Sequence, residues 1–179
     1  MFYRSERLLL RPAWPEDWRS VHAGLADEGV VRNLARAPWP YAEQDARDFC
    51  ARDIPPHTPR FLIALAATAE VVGAVGYGPS DQEDDIELGY WIARAHWGHG
   101  YATEAAMGAI EIAQMAGQRC LSAGHFVDNP ASGKVLRKVG FVPTGRVAQR
   151  HSLSRGGEAP CVLYRLDLGA DPCLTDKAA

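Results

Sequence analysis

Residues 87–106, ELGYWIARAHWGHGYATEAA, pass from a strand-like stretch through two closely spaced glycines directly into a helical pattern. Glu87-Leu88-Gly89-Tyr90-Trp91-Ile92 reads as a strand, and Gly98 and Gly100 flank His99 before a helix that starts near Tyr101. Glycines let the backbone approach a ligand closely, and the free amides and positive end of a helix attract an anion. Such a turn suits a phosphate or pyrophosphate. A Walker loop ends in Gly-Lys-Ser/Thr, and no such lysine follows here. A dinucleotide-binding fingerprint needs a small third residue where Thr103 stands, and a parallel βαβ unit with a downstream acid. On spacing alone, the glycines serve equally well as a tight turn.

The rest of the chain supplies a mixed order of elements. Residues 6–12 read as a strand, Pro15 to Ala26 as a helix opened by Pro and acids, and Ala42 to Asp53 as a second helix. Between those helices, Ala37-Pro38-Trp39-Pro40-Tyr41 cannot be regular structure. Arg60–Ala67 and Val71–Tyr77 form a hairpin around Thr68-Ala69-Glu70. Tyr101–Ala116 is a helix with Ala102, Ala106, Ile110 and Ala113 toward the core and Glu104 and Glu111 toward water. Cys120–His125 is a strand, and Asn129-Pro130 opens a helix that ends at Gly140. Phe141–Gln149 and Cys161–Leu168 are the last strands. Helices among strands that are only partly parallel describe an α+β domain over residues 1–170, with a frayed tail over 171–179.

Composition excludes several classes. Nineteen Lys+Arg against 22 Asp+Glu give a net charge of −3, the wrong sign for direct nucleic-acid binding. No apolar run approaches the ~20 residues of a membrane span, and the opening MFYRSERLLLRPA lacks the pattern of a secretory signal. These point to a cytoplasmic protein that does not bind membranes. The four cysteines have no C-x-x-C pair, so they read as reduced, mostly buried thiols. His96 and His99 lack a third ligand, so no metal is expected. The acidic loop Pro79–Asp85 reads as a solvated turn that mildly favours cationic acceptors.

A second motif, DNPASGKVLRKVGF, begins at Asp128. With it, the chain resembles the GNAT superfamily of acetyl-CoA-dependent N-acetyltransferases, and within it the branch of ribosomal-protein alanine and serine N-terminal acetyltransferases. The resemblance rests on Trp97 to Ala105, on Asn129, Ser132, Lys138, Gly140 and Phe141, and on the opening Glu6-Arg7-Leu8 with Pro38-Trp39-Pro40-Tyr41. It implies a GNAT fold, with a mostly antiparallel, seven-stranded mixed sheet splayed between its fourth and fifth strands and about four flanking helices.

The resemblance also implies roles. Backbone amides across Gly98, His99, Gly100, Tyr101, Ala102 and Thr103 cradle the pyrophosphate of acetyl-CoA, the cosubstrate. The pantetheine arm pairs with backbone groups of Tyr90, Trp91 and Ile92 like an added strand. Asn129 contacts that arm or only caps its helix, and the Ile92 amide faces the thioester oxygen. Two departures matter. The usual Gln or Arg before the glycine loop is Ala95, with Arg94 adjacent to substitute, and the usual acidic Tyr is Leu136. Ser132, one turn earlier on the same face, then inherits the contact with the departing thiolate. Glu87 is the candidate general base, with His125 and Asp128 next, and Trp39, Pro40 and Tyr41 line the amine pocket. The expected activity is acetyl transfer to a primary amine in a ternary complex, by a monomer or homodimer. The amine is a protein N-terminal Ala or Ser, or a small molecule such as an amino acid, polyamine or aminoglycoside. A catalytically weak acyl-CoA-binding module is the alternative.

Overall fold

A computed structural model describes residues 1–55, 57–80 and 85–169. Three of the loop carboxylates, Asp81, Glu83 and Asp84, and the tail from residue 170 lie outside the described residues.

Eight described strands form one sheet in the order β1 (Tyr3–Arg4), β2 (Leu8–Arg11), β3 (Arg60–Leu65), β4 (Val71–Pro79), β5 (Ile86–Ile92), β6 (Cys120–Phe126), β8 (Gly157–Asp167), β7 (Val142–Ser152). All neighbours are antiparallel except β5 and β6. The sheet has one strand more than the sequence suggests, because β1 is too short to show any period. Among the described residues the five α-helices are α1 (Trp18–Leu25), α2 (Glu28–Val31), α3 (Glu43–Ala51), α4 (Tyr101–Met115) and α5 (Pro130–Lys138). Helix α2 is the unforeseen one, a single turn held by the Asp27 carboxylate accepting from the Gly29 N–H at 2.8 Å.

Alternation along the strands divides the core into two layers. Phe61 and Ile63 of β3 face α4, among Leu8, Leu10, Val75, Ala106, Ala109 and Leu136. Leu62 of β3, Ala74 of β4 and Trp91 of β5 face the opposite side, against Val21, Leu25, Tyr41 and Ala46 of the α1–α3 layer. Helix α4 carries five alanines and Gly108, so it packs close; a Cβ on Gly108 would lie 2.6 Å from the Tyr3 ring.

One face assignment needs correcting. Glu104 does not point into water: it accepts from Ser5 Oγ (2.7 Å), Arg7 N–H (2.9 Å) and Arg7 Nε (2.8 Å). Helix α5 ends as read: Gly140 has φ +97° and the Phe141 N–H reaches back to the Leu136 carbonyl at 3.0 Å. Strands β7 and β8 run eleven residues each, longer than the sequence suggests. Most of β7 is exposed, so it carries no buried alternation to read. The reduced-thiol reading holds for Cys50 and Cys161, which are free and buried, and fails at Cys120, which is disulfide-bonded.

Candidate active site

Strands β5 and β6 pair at one register position, Glu87 with Ser122, and then diverge. The backbone shows what the divergence leaves open. The Ala93 N–H donates to the Val72 carbonyl at 2.8 Å, and hydrogen-bonded positions alternate along an antiparallel ladder. Glu87, Gly89 and Trp91 therefore direct their backbone groups at β4, while Leu88, Tyr90 and Ile92 direct theirs at the gap. Of the three residues expected to meet a pantetheine arm, Trp91 is excluded by this phase. The Ile92 carbonyl accepts from the Trp97 indole at 2.7 Å, which leaves the Tyr90 N–H and C=O and the Ile92 N–H.

A cleft of about 930 Å³ runs through this gap, lined by Glu87, Tyr90, Trp91, Ile92, Gly98, Gly100, Tyr101, Ala102, Thr103, Asn129 and Ser132 among others. At one end, Gly98 (φ +81°) and Gly100 (φ +79°) hold the left-handed conformation that favours glycine. No side chain caps α4 at Gly100, so its first-turn amides face the cleft uncapped. Arg7 braces the turn, donating from Nη1 to the His99 carbonyl at 3.0 Å and lying 4.9 Å over the Tyr101 ring. The expected stand-in for the missing phosphate donor is engaged elsewhere. Arg94 grips Asp27 through Nε (2.5 Å) and Nη2 (2.6 Å) and does not line the cleft, nor does the His99 side chain, which stacks on Tyr101. Lys134 and Lys138 of α5 do line it.

At the middle of the cleft, Asn129 Oδ1 accepts from the Ser132 N–H at 3.3 Å and caps α5. Ser132 Oγ lies 2.7 Å from the Tyr90 hydroxyl. Burial pushes the Tyr90 phenol up to about 12, against the lowering effect of that hydrogen bond, so it stays protonated at neutral pH. Leu136 is 1% exposed and packs into the core.

Toward β7, both Glu87 oxygens are held by Arg150: Nη2 donates to Oε2 at 2.5 Å and Nη1 donates to Oε1. The pair is enclosed, with side chains 15% and 12% exposed. Hydrogen bonding to Glu87 is the largest influence holding the guanidinium charged, and it outweighs the cost of burial. The turn between β7 and β8 closes over this end: the Leu153 N–H donates to the Ala35 carbonyl (2.9 Å) and Ser152 Oγ to the Leu34 carbonyl (2.9 Å).

Of the other expected site residues, Tyr41 is buried and lines the cleft, whereas Trp39 and Pro40 do not. His125 and Asp128 do not pair. His125 Nδ1 lies 2.8 Å from the Phe126 carbonyl, while Asp128 is gripped by Arg155 (2.8 Å) and Arg32 (2.9 Å). His96 contacts Glu70 at 3.1 Å, and among the described residues no group of three or more His, Cys, Asp or Glu could hold a metal. Sequence reasoning missed Arg150, the Tyr90 side chain and the Trp97 brace. The Arg150 and Tyr90 contacts lie 63 and 42 residues apart in the chain with no local motif to mark them, while Trp97 stands in the glycine-loop motif, which does not show its bond to the Ile92 carbonyl.

A family model described as an acetyltransferase (GNAT) domain matches residues 7–142. An uncharacterized N-acetyltransferase of Bacillus subtilis (strain 168), YoaA, is 28% identical over 150 residues, covering 81% of this chain and 85% of the relative. The crystal structure of a GNAT-family acetyltransferase from Bacillus anthracis superposes with a TM-score of 0.81 at 22% identity, covering 94% of this chain and 99% of that one. RimL, a ribosomal L7/L12 α-N-protein acetyltransferase solved with coenzyme A, superposes with a TM-score of 0.77 at 20% identity, covering 96% and 100%.

Proposed function

Since the chain belongs to the GNAT acetyltransferase family, and is thus an acyltransferase enzyme, we propose that it moves the acetyl group of acetyl-CoA to a primary amine by direct attack in a ternary complex. One observation carries this reading: the open backbone groups of Tyr90 and Ile92 lead along a single cleft to the uncapped amides of α4. An amide-bearing arm can pair with the first as an added strand, and a pyrophosphate with the second.

Acetyl-CoA supplies an activated thioester carbonyl. The Ile92 N–H donates to its oxygen as negative charge develops there. Glu87, at the start of β5, takes the proton from the attacking amine, directly or through water, and Arg150 fixes the position of that carboxylate. The C–N bond forms as the C–S bond breaks, and the sulfur leaves beside the Ser132 hydroxyl. The Tyr90 and Ser132 hydroxyls lie 2.7 Å apart and either can donate; with the phenol as donor, the serine hydrogen is free to point at the sulfur. Tyr90 is a positioning residue in this scheme.

The acceptor is a protein N-terminus or a small amine. Likeness in fold to RimL favours the first class, and the enclosed end beneath the β7–β8 turn suits the second. A screen of both classes with acetyl-CoA, read as free thiol, tests the proposal: release must require the amine.

A further inference from the structure

The cleft extends from Glu87 across a floor that carries almost no side chains. Directly opposed residues share a sheet face: Glu87 faces Gly78, Gly89 faces Gly76, and Gly76 faces Arg60. Glu87 and Gly89 share a face as alternate residues. Three glycines therefore pave the sheet between a carboxylate and a guanidinium. A Cβ on Gly89 would meet nothing within 4 Å and one on Gly78 would only touch Thr58 at 3.6 Å, so the floor is open at those two; at Gly76 the Pro59 carbonyl already lies 2.6 Å from that position. Strand spacing of ~4.8 Å and a rise of ~3.4 Å per residue place the Cα atoms of Arg60 and Glu87 on the order of 12 Å apart.

Among the described residues Arg60 lacks an ionic partner. Its Nη2 donates to the Phe49 carbonyl at 2.8 Å and the guanidinium lies 3.8 Å over the Phe49 ring, but no carboxylate among the described residues pairs with it. Burial lowers its basicity, and the like charge of Arg52 lowers it further, to a value of about 10. Both arginines line the cleft. Asp45, Asp48 and Asp53 also line this end of the cleft, but Asp45 accepts from the Ala42 N–H (2.8 Å), Asp48 accepts from Gln44 Nε2 (2.7 Å), and none of the three forms an ion pair with Arg60. A desolvated cation whose hydrogen bonds end on a neutral carbonyl is stabilised by an incoming anion.

We propose that Arg60, supported by Arg52, is an anion-recognition subsite for the acceptor, so that the amine acetylated here carries a carboxylate or phosphate at the end remote from its nitrogen. This rests on the acetyltransferase reading and runs opposite to the cationic acceptor that the acidic loop suggests.

The test is direct binding to the coenzyme A-loaded protein by calorimetry, with two matched pairs: 6-aminohexanoate against 6-aminohexanamide, and 6-aminohexyl phosphate against 6-aminohexanol. The anionic member of at least one pair should bind about tenfold more tightly or better, and which pair separates distinguishes carboxylate from phosphate. Arg60→Met should erase the preference, with a retained melting shift on coenzyme A certifying its fold, and Arg60→Lys should keep part of it. Equal binding within both pairs, no binding by any of the four, or a preference that survives Arg60→Met overturns the subsite. If Arg60→Met does not fold, the wild-type comparison and Arg60→Lys still decide. Failure of amine-dependent thiol release would instead count against the acetyltransferase reading, since these titrations involve no turnover.

Discussion

Glu87→Gln isolates the role of the enclosed carboxylate. The substitution keeps the shape of the side chain but replaces one of two charged acceptors with an amide, leaving the Arg150 guanidinium short of its counter-charge. An exposed ion pair would cost at most ~1 kcal/mol on such a change. With side chains 15% and 12% exposed, this pair is partly buried and lies between that case and a fully buried pair, for which loss of one partner costs ~3–5 kcal/mol. Gln retains one acceptor, so we expect ~2–3 kcal/mol, or roughly 4–12 °C in melting temperature for a chain of this size. Turnover should fall on the order of 10²-fold with acetyl-CoA affinity within a few-fold of wild type. Arg150→Met is the control: it incurs a comparable loss of stability but keeps the carboxylate, so its turnover should exceed that of Glu87→Gln. Thermal melts and thiol-release kinetics on the two variants provide the comparison. A Glu87→Gln protein that melts like wild type and turns over fully would refute both the enclosed pair and the base assignment.

Gly100→Val places a β-branched residue at φ +79°, which both strains the turn and blocks phosphate approach, so the melting shift on acetyl-CoA should vanish. Ser132→Ala and Tyr90→Phe should each lower kcat about tenfold or more, and the double variant should be no worse than Ser132→Ala alone; additive losses would separate the two hydroxyls. Leu136→Tyr restores the phenol of related enzymes but overpacks a position 1% exposed, so a loss of ~1–3 kcal/mol and no rescue of Ser132→Ala are expected in melts and kinetics. Burial raises the Asp17 carboxyl, yet hydrogen bonds from Arg11 and the Trp14 N–H, with the Arg11 charge, outweigh it and hold the group below its ordinary 3.8. The folded value is the depressed one, so its stabilisation is complete above the unfolded value and is lost as pH falls through 3.8 toward the folded value. Arg11→Met should flatten that part of an acid-unfolding curve.

The elements legible in the sequence were those whose period or punctuation is local. The glycine turn before α4, the Asn129 cap and the Gly140 end of α5 depend on neighbours a few residues away, and the structure bears them out. The splay was legible only through family resemblance, since nothing in the residues of β5 or β6 marks where pairing stops. The Tyr90–Ser132 contact spans 42 residues and the Glu87–Arg150 pair 63, and sheet topology alone brings them together. Arg94 illustrates the converse error. It stands beside the loop in sequence, but Asp27 draws it away through two charge-assisted hydrogen bonds. The backbone of Trp91 was misassigned for a simpler reason: ladder phase follows from which residue pairs carry the hydrogen bonds, and composition does not encode that.

The proposed function requires the cleft to pass an acetyl group from a thioester to nitrogen. The most direct measurement is acetyl-CoA turnover by the wild-type protein, with free thiol and N-acetylated product quantified in the same reaction across protein N-terminal peptides and small amines. The expected result is equal amounts of thiol and acetylated amine for at least one acceptor, with thiol release falling to background when the amine is omitted or Glu87 is replaced by Gln. Tight acetyl-CoA binding with no acetylated product from any acceptor, or thiol release indifferent to the amine, would contradict it.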